Sequence, residues 1–173
     1  MKRHISPENM ITFLLETPFF ETLEPRELQE ILHVVKEAEY QAGDILFEEG
    51  TEGDAWYVVY RGGVDILKSG EKIAEIGEKG CFGEMSILDK LPRSATVRAS
   101  ADSIFLRVGS EDFDKLVTEE HPVAYKLIHE MAILSSQRQR DTTIKLSQLL
   151  NSSDVDDVHA GIRHIVGEST VSE

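Results

Sequence analysis

The sequence predicts an α+β fold that is mainly β: a jelly-roll barrel flanked by N-terminal helices and a long C-terminal helix. Two observations predict it. Nine of the twelve glycines lie between residues 40 and 108, where they separate short apolar runs about 8–12 residues apart. On both sides of this region, apolar residues recur at helical spacing. We therefore expect an N-terminal helical segment at 1–38, the barrel at 39–109, C-terminal helices at 110–150 and an acidic, mobile tail at 151–173.

Two helices are predicted in the N-terminal segment. Ser6 can cap the first, with Pro7 at its first position, and Pro25 begins the second. The first helix is predicted to have an apolar face of Met10, Ile11, Leu14 and Leu15, and the second a buried stripe of Leu28, Ile31, Leu32 and Val35.

The glycine-rich region holds the predicted strands. Their apolar runs read DILF, AWYVVY, VDILK, KIAEI, TVRA and SIFLRV. VDILK and KIAEI flank SGE, a short polar turn, so this pair is predicted to form a hairpin.

Helical patterns return after Val108. Ser110 can cap a short helix, and the stretch from Pro122 to about Leu150 has no proline or glycine after its first residue. A heptad-like seam runs along this stretch through Ile128, Ala132, Ser135, Gln139, Thr142, Leu146 and Leu149. Such a seam predicts a homodimer through the helix at 122–150.

Charge restricts the function classes. Lys and Arg total 18 against 32 Asp and Glu, a net charge of −14, so the protein has no general attraction for nucleic acid or anionic membranes. No signal peptide and no run of about 18 apolar residues is visible. The single cysteine, Cys81, excludes an intrachain disulfide and is expected to be an inert packing residue. We expect a cytoplasmic protein whose anionic ligand, if any, is held by a local site.

The segment Phe82–Val97, FGEMSILDKLPRSATV, has the composition of such a site. Gly83 allows the backbone to approach a ligand closely, and Arg93 offers a planar fork of donors suited to phosphate. A carboxylate at Glu84 would repel a phosphate alone, but it can accept hydrogen bonds from a sugar hydroxyl. The combination therefore suits a sugar phosphate.

This segment closely resembles the phosphate-binding cassette of cyclic nucleotide-binding domains, which occur in catabolite activator-type transcription factors, kinase regulatory subunits and gated channels. GTEGDAWYVVYRGGVDI, residues 50–66, resembles a second glycine motif of that family. The resemblance covers roughly residues 10–145 and implies the double-stranded β-helix form of the jelly roll, with cAMP or cGMP as ligand.

The resemblance also implies roles for individual residues. Glu84 would accept from the ribose 2′-hydroxyl and Arg93 would bind the cyclic phosphate, and the remaining pocket residues would be Gly83, Met85, Ser86, Ser94 and Ala95. The family uses the long helix as a lid over the base and commonly as a dimer interface. Its polar stretch offers four candidates for base contacts, namely Gln137, Arg138, Gln139 and Thr142.

The residues disfavour other classes of protein. A metal-binding barrel is disfavoured because none of the six histidines lies between 34 and 120, and no metal cofactor is expected. The acidic stretch after Leu150 does not fit a helix-turn-helix, so no nucleic acid partner is expected. We expect a stand-alone cyclic nucleotide sensor acting on an unknown effector, and not an enzyme. The alternative is a ligand-independent interaction domain with a degenerate cyclic nucleotide-binding fold.

Overall fold

The computed structural model describes residues 4–151. Its core is a jelly roll of two four-stranded antiparallel sheets, with strand orders β1-β8-β3-β6 and β2-β7-β4-β5. The strands are β1 Val35–Tyr40, β2 Ile45–Phe47, β3 Ala55–Arg61, β4 Gly63–Lys68, β5 Glu71–Gly77, β6 Cys81–Phe82, β7 Thr96–Ala99 and β8 Ser103–Gly109. The helices are α1 Pro7–Leu15, α2 Pro25–Leu32, α3 Met85–Asp89, α4 Ser110–Thr118 and α5 Pro122–Asn151, with a 3₁₀ turn at Pro18–Phe20. The predicted fold class is confirmed.

Helix starts follow the local sequence. The amide of Asn9 donates to Ser6 Oγ over 3.2 Å, which confirms the predicted cap of α1. Pro25 begins α2 as predicted. Ser110, however, is the first residue of α4 and Gly109 takes the cap position, so the predicted Ser110 cap is wrong.

The predicted stripe of α2 is wrong at one position. Val35 is the first residue of β1, where it pairs with Val108 of β8. The apolar residues from Leu28 to Val35 have helical spacing, but α2 ends at Leu32 and Val35 belongs to the sheet.

Two apolar clusters fill the molecule. One lies between the sheets and includes Tyr57, Val97 and Phe105. The other lies between the β1-β8-β3-β6 sheet and the helices, where Phe19 and Phe20 pack against the fully buried Trp56. The predicted hairpin is confirmed, since β4 and β5 pair antiparallel across the Ser69–Gly70 turn.

The long helix α5 has two different halves. Val123, Leu127 and Met131 anchor its first half in the core. Most side chains from Gln139 to Gln148 are exposed. Three residues of the predicted seam, Ala132, Gln139 and Thr142, are exposed, and the homodimer remains a prediction. The Leu149 side chain and the tail after Asn151 lie outside the described part of the chain. In residues 4–151 no helix is long and apolar enough to cross a membrane.

Candidate functional site

The turn between β6 and α3 brings the backbone close to a buried arginine. Gly83 has φ +80°, a left-handed conformation that favours glycine. A Cβ at this position would lie 2.9 Å from Arg93 Nη1 and 3.3 Å from the carbonyl oxygen of Ala55. Glycine is therefore required here for both conformation and space.

Arg93 is turned into the protein and is only 3% exposed. Its Nη1 donates to Gly83 O over 2.8 Å and to Ser86 Oγ over 2.9 Å, and its Nη2 donates to Ala55 O over 2.6 Å. The guanidinium carbon lies 3.9 Å from the centroid of the Phe47 ring, a cation–π contact. Arg93 Nε is buried and has no hydrogen-bond partner within residues 4–151. Burial lowers the pKa of the guanidinium from its ordinary value, as expected for a charge removed from water.

Glu84 is also buried, with an exposed fraction of 1%. Its Oε1 accepts from Arg138 Nη1 of α5 over 2.6 Å, and Arg138 Nη2 also donates to the carbonyl of Cys81. The second oxygen, Oε2, is buried without a hydrogen-bond partner in the described part of the chain. A buried carboxylate oxygen without a donor is costly, so this atom is suited to accept from a ligand hydroxyl.

Asp54 completes the site and was missed from the sequence. It precedes β3, and its carboxylate lies 3.2 Å from Arg93 Nη2 and 2.8 Å from Arg107 Nη2. Burial raises the pKa of Asp54, but hydrogen bonding from Arg107 and the charges of the two arginines outweigh it and hold that pKa below its ordinary value. Asp54 was not recognisable because its partners lie on β8 and in the segment Phe82–Val97, far away in sequence.

The remaining predicted residues differ in their environment. Ser86 is buried and bonded to Arg93, whereas Met85 and Ser94 are exposed and Ala95 is half-buried. Of the four lid candidates, Arg138 reaches the site. Gln137 and Gln139 are exposed, and Thr142 bonds back to the carbonyl of Arg138. The ligand-binding roles of these residues remain predictions.

Cys81 lies beside the site, on β6, and is buried. Burial, with a smaller contribution from the nearby Glu84 charge, raises the pKa of its thiol well above the ordinary value. A thiol in that state is a poor nucleophile, which fits a packing role.

Comparison with known proteins identifies the fold family. Residues 37–120 match the family model described as a cyclic nucleotide-binding domain, and this range includes the whole of Phe82–Val97. This chain carries a cyclic nucleotide-binding domain. The cyclic nucleotide-binding domain is similar to part of the cAMP-dependent protein kinase regulatory subunit of Aspergillus niger, with 32% identity over 107 residues, 61% of this chain and 26% of that protein.

Two further relatives support the same family. Rap guanine nucleotide exchange factor 3 of Homo sapiens is 31% identical over 96 residues, which cover 54% of this chain and 10% of that protein. The crystal structure of the Thermus thermophilus catabolite activator protein superposes with a TM-score of 0.65 and 31% identity, covering 76% of this chain and 62% of that one. The match thus spans about a quarter of the first curated relative and a tenth of the second.

Proposed function

We propose that this chain binds a 3′,5′-cyclic purine nucleotide, cAMP or cGMP, and serves as a regulatory sensor. The observation that carries the proposal is that Glu84 Oε2 and Arg93 Nε are buried and have no hydrogen-bond partner within residues 4–151. The acceptor belongs to the residue after Gly83, and the donor to the arginine that binds Gly83 O. A cyclic nucleotide offers a hydroxyl to the first and a phosphate to the second.

Arg93 is the proposed phosphate ligand. Four of its five N–H groups are held by Gly83, Ser86, Ala55 and Asp54, so Nε is the donor for a first phosphate bond and any second bond requires exchange of one of these partners. Asp54 is the partner most easily exchanged, because its side chain is 64% exposed and Arg107 also binds it. The acidic surface repels anions, so the buried guanidinium must supply the local attraction.

Glu84 is the proposed ribose ligand and the link to α5. Its Oε1 binds Arg138 while Oε2 is available, so one carboxylate serves both the long helix and the sugar. We propose that ligand binding alters this contact and thereby the position of α5. The surface of α5 in residues 122–150 would then present the signal to a second copy of the chain or to an effector protein.

As a member of a regulatory family, the chain is proposed to act through binding rather than catalysis. Its similarity to a cAMP-dependent kinase regulatory subunit over 61% of its length supports cAMP as one ligand to test.

Thermal unfolding tests the proposal. A ligand that binds only the folded state at 100 times its Kd adds about 2.7 kcal/mol. For a chain of this length that raises Tm by roughly 5–10 °C. We expect this rise with cAMP or cGMP and not with 5′-AMP or 5′-GMP. Absence of any rise with nucleotide-free protein would contradict the proposal and favour a ligand-independent interaction domain.

A further inference from the structure

Lys68 is a charged side chain on the inner face of the roll. Side chains alternate along β4, and Val64 and Ile66 of this face pack into the cluster between the sheets. Lys68, two residues beyond Ile66, therefore lies on the same face at the end of the strand. Val97 of β7 pairs with Ile66, so the chain just before β7, at Ser94 and Ala95, lies beside Lys68.

The contacts of Lys68 join it to the binding segment. Its Nζ donates to Ser94 O over 2.9 Å, directly after the proposed phosphate ligand Arg93, and lies 2.6 Å from Glu49 Oε1. Glu49 Oε2 accepts from the amide of Ser69 over 3.2 Å. Hydrogen bonding from Lys68, followed by that from Ser69, lowers the pKa of Glu49. The ammonium is thus held in a fixed position beside Ser94, one of the predicted pocket residues.

Two apolar side chains near Lys68 are less buried than Val64 at the start of β4. Val64 is fully buried, whereas Ile66 is half-buried and Ala74, which pairs with Ile66 from β5, is exposed. A flat base can lie against accessible apolar side chains of this kind, with the ammonium of Lys68 at its edge.

An ammonium carries three donors and no acceptor. Ser94 O and Glu49 Oε1 occupy two of the donors of Lys68, which leaves a third for a ligand. Guanine presents two acceptors, O6 and N7, on one edge, whereas adenine replaces the first with an amino donor. A fixed donor next to this edge distinguishes the two bases.

We infer that Lys68 is a specificity-determining residue that contacts the base edge and favours 6-oxopurine cyclic nucleotides over cAMP. This inference rests on the proposed function, since it concerns the base of the ligand bound at Glu84 and Arg93. The base preference follows from the position of one side chain, Lys68.

The test is a comparison of Kd values for cGMP, cAMP and the cyclic monophosphate of inosine, which has O6 and N7 but no 2-amino group. We expect wild-type protein to bind the two 6-oxopurines more tightly than cAMP. Lys68→Met should weaken both 6-oxopurines about tenfold, as for a lost charge-assisted hydrogen bond, while changing the Kd of cAMP less than about threefold. Lys68→Arg should keep the preference, and Lys36→Met, at an exposed lysine of β1, should leave all three values unchanged.

Other outcomes would overturn the inference. If Lys68→Met weakens all three nucleotides equally, the lysine only supports the shape of the pocket. If the wild type prefers cAMP and Lys68→Met keeps that preference, Lys68 does not contact the base. If the wild-type protein binds none of the three cyclic nucleotides, the proposed function itself fails, and the wild-type measurement alone shows this.

Discussion

Arg138 Nη1 lies 2.6 Å from Glu84 Oε1, so the long C-terminal helix contacts the candidate site through a carboxylate that is almost fully buried. The contact joins α5 to the N-terminus of α3, where Glu84 is the cap residue.

Arg138→Ala is expected to destabilise the fold by about 1–3 kcal/mol, because it leaves a buried carboxylate without its cation. Urea unfolding measures this difference. Replacing the carboxylate as well, in Arg138→Ala with Glu84→Gln, should recover part of the loss, since position 84 then carries no unpaired charge. The matched control is Arg140→Ala, at an exposed arginine of the same helix. Equal stability of the Arg138 and Arg140 variants would show that the ion pair does not hold α5 in solution.

Gly83→Ala tests the close approach of the turn to Arg93. The new Cβ would meet Arg93 Nη1 at 2.9 Å in a backbone with φ +80°. Gly70 provides a matched control, because its φ is +86° and a Cβ there meets nothing within 4 Å. We expect Gly70→Ala to cost only the backbone strain, about 1 kcal/mol, and to bind nucleotide normally. Gly83→Ala should cost more and lose nucleotide affinity; similar behaviour of the two variants in unfolding and binding assays would contradict the site geometry.

Asp65 should contribute a pH-dependent part of the stability. The carboxylate is buried on β4 between Lys72, 2.6 Å away, and Arg98, 2.9 Å away, and hydrogen bonding from Lys72 and then Arg98 lowers its pKa from the ordinary 3.8. Because the pKa is lower in the folded state, the unfolded state binds more protons in this range and stability rises with pH. The contribution is present above pH 3.8 and is lost as the pH falls through the lower folded-state value.

Asp65→Asn should therefore lower Tm at pH 7 and show a smaller Tm decrease than the wild type between pH 5 and about pH 2. Asp141→Asn, at an exposed position on α5, is the control and should follow the wild-type curve. If Tm falls with pH by the same amount in wild type and Asp65→Asn, this carboxylate is not a source of the pH dependence of stability.

Arg93→Ala is expected to abolish nucleotide binding and also to destabilise the fold by about 2–4 kcal/mol. From the sequence alone we expect this variant to leave the fold intact; the buried contacts with Gly83, Ser86 and Ala55 change that expectation, since removal of the guanidinium leaves their acceptors unpaired. Combined unfolding and binding measurements check both effects, with Arg61→Ala at the exposed end of β3 as control. Retained affinity in Arg93→Ala would reject the phosphate assignment.

The sequence predicts the fold and the local parts of the site because both depend on short-range patterns. Glycine spacing, proline positions and the order of residues in Phe82–Val97 are all local, and they led to the jelly roll, the hairpin and the candidates Glu84 and Arg93. Val35 and Ser110 were misassigned because helical spacing and capping chemistry are ambiguous at the junction with a sheet.

Contacts between distant segments were not predictable in the same way. Asp54, Arg107 and Phe47 surround Arg93 only because β2, β3 and β8 meet there. Which of the four lid candidates reaches the site depends on the orientation of α5 about its own axis. In the described structure, this orientation places Arg138 against Glu84. The position of Lys68 beside Ser94 likewise depends on the pairing of β4 with β7.

The most direct test of the account is calorimetric titration of the nucleotide-free protein with cAMP and, separately, with cGMP. We expect a saturable heat with at least one of them, from one site per chain. The Kd should lie near the micromolar range, which corresponds to about 8 kcal/mol of binding free energy. No heat with either nucleotide, on protein shown to be folded and free of bound nucleotide, would contradict the account.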